Sequence, residues 1–164
     1  MSHPIFRTLM GTLMCGSLMT GALGCASPER LRGLDRRFYQ NLDSEKDRAA
    51  YLKTPKAQRQ SFLQSQGIWD RWQALPEAER TAAKRGQLAP GSQEFAGFMA
   101  WGPPADTQRR TAGEREVAFH TFIRCTSGPK TGRYVQASST CDGTFNEIEV
   151  AVEGGIVTEI KVLN

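Results

Sequence analysis

The chain has 164 residues, with 21 Lys and Arg against 17 Asp and Glu, a formal net charge of +4. That length suits one domain with its own core, and so mild a charge gives no argument for nucleic acid as a partner. The charge is unevenly spread: residues 30–59 hold nine basic and four acidic side chains, net +5, whereas residues 142–164 hold five acids and only Lys161, net −4.

Met1 and Arg7 supply a positive start, and an apolar stretch with Leu9, Met10, Leu13, Met14, Leu18 and Met19 follows. It ends in Ala22-Leu23-Gly24-Cys25, ahead of the charged Glu29-Arg30. The stretch is short for a membrane span and is interrupted by Gly11, Gly16 and Gly21, so a processed signal is expected rather than a transmembrane helix. The ending resembles the lipobox of bacterial lipoproteins, which implies thioether lipidation of Cys25, removal of residues 1–24 and an acylated terminus held in a bilayer. An ordinary secretory signal is the alternative. Two or three acyl chains would make attachment effectively permanent, because each buried methylene contributes about 0.8 kcal/mol. Ala26 and Ser27 follow the cysteine, without the Asp that retains many enteric lipoproteins at the inner membrane. By that resemblance the expected location is the outer membrane, on the periplasmic side more than the cell surface.

Residues 25–42 are polar and arginine-rich and are expected to form a tether, turning helical toward Phe38 and Leu42. Arg30, Arg32, Arg36 and Arg37 would lie against anionic headgroups or form a solvated linker and helix face. Order is expected from Asp43, in a helical region over 43–87. Ser44 followed by Asp47 forms an acidic variant of the capping box. Thr54 is expected to cap a second helix with Pro55 at its first position. Gly67 punctuates the apolar positions Phe62, Leu63, Ile68, Trp69 and Trp72. Pro76 opens another helix, with Glu77 and Glu79 at its amino end, Lys84 and Arg85 at its carboxyl end and Gly86 beyond. Ser92 is expected to open a last helix, with Phe95, Phe98 and Met99 on one face, stopping at Gly102-Pro103-Pro104. Trp69, Trp72 and Trp101 could form a platform for a peptide or glycan, but core packing is the preferred reading.

The period then changes. Residues 117–124 read as a strand with apolar character on both faces, and Arg133–Ala137 as a second strand. Phe145–Glu153 and Ile156–Leu163 make a hairpin. A two-residue Gly154-Gly155 turn would pair Val150 with Glu159 and Ile148 with Lys161. A three-residue turn, Glu153-Gly154-Gly155, instead pairs Val152 with Ile156, Val150 with Thr158 and Ile148 with Ile160, and is the expected register. The fold class is α+β, with N-terminal helices packed on a small C-terminal antiparallel sheet. Beyond the signal, Cys125 and Cys141 are expected to form a disulfide if the chain lies outside the cytoplasm, with two free buried thiols as the alternative.

Gly91-Ser92 opening a short helix that runs into Trp101-Gly102-Pro103-Pro104-Ala105-Asp106, followed by a strand and an acidic-Gly hairpin turn at Glu153-Gly154, resembles the SmpA/OmlA (BamE-like) lipoprotein domain. The resemblance covers residues 88–164. It implies helices on one face of a small antiparallel sheet and an association with envelope assembly.

No G-x-S-x-G, H-E-x-x-H, P-loop or dinucleotide fingerprint occurs. No catalytic residue, metal site or cofactor is therefore expected. His120, which could pair with Ser138 or Ser139, reads as a partly buried structural histidine. The expected role is a non-catalytic, membrane-anchored interaction module for another envelope protein. Its partner-binding residues would be Glu147, Glu149 and Glu153, on the hairpin face opposite the apolar one. An envelope enzyme or enzyme inhibitor using the open sheet or loop 126–140 is the competing class.

Overall fold

In the computed structural model, which describes residues 27–113 and 115–163, the first half is helical and the second is sheet. The helices are α1 (Gly33–Gln40), α2 (Glu45–Lys53), α3 (Arg59–Ser65), α4 (Ile68–Ala74), α5 (Glu77–Lys84) and α6 (Glu94–Trp101). The strands are β1 (Asp106–Ala112), β2 (Arg115–Cys125), β3 (Tyr134–Val135), β4 (Phe145–Glu153) and β5 (Ile156–Val162). All pairings are antiparallel in the order β1-β2-β4-β5, and β3 continues the β1 edge beside the far end of β2. The α+β class is thus as the sequence implies.

The stretch expected as a tether is folded from Ser27 onward. Leu31, Phe38 and Leu42 are buried and Leu34 packs against them, so α1 is an amphipathic part of the core rather than a spacer. Asn41 Nδ2 holds it to the last helix, donating to both Arg37 O and Phe98 O at 2.9 Å. The helical region and residues 88–164 do not form separate cores. Phe38, Tyr51, Leu63, Trp72 and Leu75 belong to the same buried cluster as Met99, Phe122, Val150 and Val157.

Local signals decide most helix ends. Ser44 Oγ accepts from Asp47 N at 3.0 Å, as the capping pattern implies. Thr54 closes α2 instead of opening the next helix: its hydroxyl donates to Ala50 O at 2.9 Å, and a 3₁₀ turn over Lys56–Gln58 intervenes before α3. A tertiary knot then fixes this corner. Asp35 accepts from both the Tyr51 hydroxyl and the Arg59 guanidinium, which also lies 5.0 Å over the Tyr51 ring. Tyr51 is fully buried; burial first, then the Asp35 hydrogen bond, push its pKa far up.

Ser92 does not cap α6. Its backbone instead pairs with β5, Ser92 O accepting from Val157 N at 2.8 Å. Gln93 N donates to Glu79 Oε2 and Glu94 N to Gly155 O, both at 2.9 Å. The orphan amides that begin a helix are thereby met by tertiary partners, docking α6 on the hairpin tip.

The hairpin register differs from expectation. Gly154 and Gly155 both take positive φ, 58° and 79°, and form a two-residue turn with Glu153 opposite Ile156, a conformation that glycine adopts without strain and that suits strand twist. The charge mismatch that argued against this turn is removed one step further on. Val152 faces Val157 but Ala151 faces Glu159, leaving Thr158 as the extra residue of a bulge. The bulge shifts β5 by one position, so Val150 meets Ile160 and Ile148 meets Val162.

Strand β1 has no counterpart in the sequence reading, because Asp106-Thr-Gln-Arg-Arg-Thr-Ala112 is polar almost throughout. Such polar, basic composition suits an edge strand that must not recruit another chain.

Candidate functional site

Antiparallel register assigns every strand residue to a face. Ala118, His120, Phe122, Ile148, Val150, Val152 and Ile160 face the helices, and their apolar members sit in the main core. The opposite face bears Gln108 and Arg110 on β1, Val117, Phe119 and Thr121 on β2, Glu147, Glu149, Ala151 and Glu153 on β4, and Glu159 and Lys161 on β5. Phe119, Thr121, Glu147, Glu149 and Glu153 are only partly buried. No residue of the main helix-sheet core cluster lies on this face.

The three glutamates singled out from the sequence are therefore brought to one surface, and Glu159 joins them because the Thr158 bulge carries it there. Basic groups lie at the borders of this acidic stripe. Arg115 Nη1 is 3.5 Å from Glu153 Oε1, Lys161 stands opposite Glu149, and the Arg110 guanidinium lies 5.1 Å over the Phe119 ring. Such exposed contacts add little stability. They leave a face with an apolar centre and charged surroundings.

One end of this face is covered. Cys125 and Cys141 form a disulfide with Cα atoms 5.3 Å apart, as expected for the pair. Both sulfurs are buried with Ile123, and Ala105, Val135 and Phe145 pack around them. The loop between the cysteines is drawn in tightly. A Cβ at Gly128, where φ is +81°, would stand 2.8 Å from Asp142 O, so this position requires glycine, and just beyond the loop a Cβ at Gly143 would stand 3.0 Å from Ser127 O. Lys130 Nζ fastens the loop, donating to Thr140 O at 2.6 Å and Asp142 Oδ2 at 3.0 Å.

His120 is 3% exposed on the helix-facing side. Its partners are Glu94 Oε1, 2.6 Å from Nε2, and the Thr107 hydroxyl, 2.8 Å from Nδ1, rather than Ser138 or Ser139. Both ring nitrogens are thus hydrogen-bonded, and the tautomer sets the direction of the bond with Thr107. The Phe98 ring meets it edge-on at 5.1 Å. The hydrogen bond from His120 holds the Glu94 carboxyl below its ordinary range, against the opposing effect of burial. A hydroxyl, an imidazole and a carboxylate in line have the elements of a catalytic triad. The array joins α6, β2 and β1 as a strut, with His120 buried, Glu94 partly buried and Thr107 exposed. Glu94 and Thr107 lie 26 and 13 positions from His120, and no local motif marks them.

The tryptophans pack as core. Trp72 and Trp101 are buried, and Trp69 packs against the same core with its ring 5.8 Å from that of Phe38. Trp101 stacks on Tyr134 at 4.9 Å, meets Phe122 edge-on at 5.2 Å and donates from Nε1 to Gly86 O at 2.9 Å. Cys25, the expected lipidation site, lies outside the described residues, as does the preceding signal. Among the described residues no helix is long and apolar enough to cross a membrane, and no group of three His, Cys, Asp or Glu side chains is placed to hold a metal ion. The chain matches no protein-family model, no curated protein and no solved structure.

Proposed function

We propose that this chain is a lipid-anchored envelope lipoprotein without catalytic activity, which binds another envelope protein through the open face of its sheet. In this reading Cys25 carries the lipid, the outer membrane holds the anchor and the domain faces the periplasm. Glu147, Glu149 and Glu153 orient the partner. The observation that carries the proposal is their convergence on the sheet face opposite the one on which the described helices pack, around the half-buried Phe119. The Cys125–Cys141 disulfide adds support, because such bonds belong to oxidising compartments. The resemblance of residues 88–164 to SmpA/OmlA domains suggests, as part of the same proposal, a role in envelope assembly.

Acidic side chains at a partly apolar surface select a basic partner and speed its encounter more than they tighten the complex. The test compares wild-type chain with the Glu147→Gln, Glu149→Gln, Glu153→Gln variant, each retrieved with its partners from detergent-solubilised envelopes. A stoichiometric protein that accompanies the wild type and is depleted with the variant supports the reading. Equal recovery with both removes the assigned face. Mass spectrometry of the mature terminus tests the anchor separately: diacylglyceryl-Cys25 is expected, and an unmodified terminus at another residue would refute it.

A further inference from the structure

On the helix side of the molecule, away from the open sheet face, a groove of about 220 Å³ runs between α1, the end of α5 and the segment around β3. Four basic side chains line it, Arg36, Arg37, Lys84 and Arg133, together with Gln40 and Tyr134, and no carboxylate does. Among the described residues none of these four cations belongs to an ion pair. Glu45, in an adjoining groove that shares Arg36, Gln40 and Tyr134, is already bound to Arg48 at 2.9 Å.

Arg37 is the telling member. Its side chain is partly buried, and its hydrogen bond goes to a neutral acceptor, Gln40 Oε1, at 3.2 Å. Burial, and then the adjacent Arg36 charge, lower its pKa. Partial burial of a guanidinium in a groove lined by three further cations is unfavourable unless an anion compensates it. The planar fork keeps further N–H donors for a tetrahedral oxyanion, which it can grip in bidentate fashion. The wall behind it is firm: Tyr134 is stacked on the buried Trp101, and Gly86 O at the end of α5 is occupied by Trp101 Nε1.

We propose that this groove is a binding site for a phosphate group, held by Arg37 and Arg133 with Arg36 and Lys84 completing its charge. The group belongs either to a soluble phosphate ester or to a phospholipid headgroup. The site is independent of the proposed sheet-face function, so failure of either leaves the other standing.

The test uses the full-length chain in a neutral detergent, titrated with inorganic phosphate at constant ionic strength and followed by amide chemical shifts. Saturable shifts are expected at Gly33, Gly132 and Tyr134. Arg133→Gln and Lys84→Gln, both at exposed positions, should each weaken binding roughly 10-fold, the effect of losing one charge-assisted hydrogen bond, while leaving the melting temperature unchanged. Arg109→Gln on β1 should bind as wild type. Arg37→Gln should abolish saturation, and Arg133→Gln keeps the test decisive should that variant fold poorly. Sedimentation with vesicles containing anionic phospholipid then separates the sources. Vesicle binding that phosphate competes away and Arg133→Gln weakens assigns the headgroup, whereas phosphate binding without vesicle binding assigns a soluble ester. Shifts that fail to saturate, or that are the same in Arg133→Gln and Lys84→Gln as in wild type, would overturn the site.

Discussion

The two faces of the sheet are made from the same strands and differ in almost everything else. The helix-facing side is built of Ala118, Phe122, Ile148, Val150 and Val152 under Met99 and Trp101, with the buried His120 hydrogen-bonded among them. The other side carries an acidic stripe bordered by basic groups beside Phe119. Period-two alternation produces this division directly, since neighbours on a strand point to opposite faces. One face stabilises the fold by burial, and the other is the one assigned to a partner in the proposed function. Substitutions on the first should therefore change stability, and those on the second should change association.

The largest expected effect is at Phe122, which meets Trp101, Tyr134 and His120. Phe122→Ala should lower unfolding free energy by about 3–5 kcal/mol in a denaturant titration, the usual range for an aromatic truncated in a core. A loss within the range of surface substitutions would mean that the helix layer is not packed on this face.

Next comes the disulfide, which pins the loop over one end of the open face. The bridged positions are 16 apart, and opening a loop of that size costs about 3 kcal/mol in the chain-entropy model. Thermal unfolding with and without reductant measures it. The helix-facing core should survive reduction, because Cys125 and Cys141 belong to a separate apolar cluster.

The strut is smaller and depends on pH. Because the folded-state pKa of Glu94 is depressed, first by the His120 hydrogen bond, its contribution is complete above the ordinary carboxylate value and is lost as pH falls through the lower folded value. Glu94→Gln should cost about 1 kcal/mol at neutral pH and flatten the stability profile across that acid window. An unchanged profile would show that the carboxylate is not held by His120. His120→Ala should destabilise without removing partner binding, whereas retained folding with lost activity would reopen the enzymatic reading.

The smallest effect on stability is expected from Glu147→Gln, Glu149→Gln and Glu153→Gln together, within about 0.5 kcal/mol per site for surface positions. The same variant should give the largest effect on association. It should weaken partner binding and reduce its dependence on salt.

Much of this architecture is legible in the chain, and the exceptions have physical causes. Strand β2, the position of the final hairpin and the cysteine pair carry local or parity signals. Segment α1 was obscured by its arginines, although Leu31, Leu34, Phe38 and Leu42 recur at helical spacing and are all placed on the core. Strand β1 hides because an edge needs no apolar run. The hairpin register escaped because a bulge at Thr158 satisfies both turn geometry and apolar pairing, and a bulge has no residue signature of its own. The acidic face could be read from alternation, while Glu159 awaited the bulge. Neither the Glu94–His120–Thr107 strut nor the cationic groove is local in sequence, so each emerges only when helix and sheet are assembled.

Site-specific photo-cross-linking in the envelope tests the division between faces most directly. A cross-linker at Gln108, on the open face opposite Phe119, should yield a light-dependent adduct of defined mass that the triple glutamate substitution removes, while one at Gln64, exposed on α3, should yield none. An adduct from Gln64 with none from Gln108, or a Gln108 adduct indifferent to the three glutamates, would contradict the account.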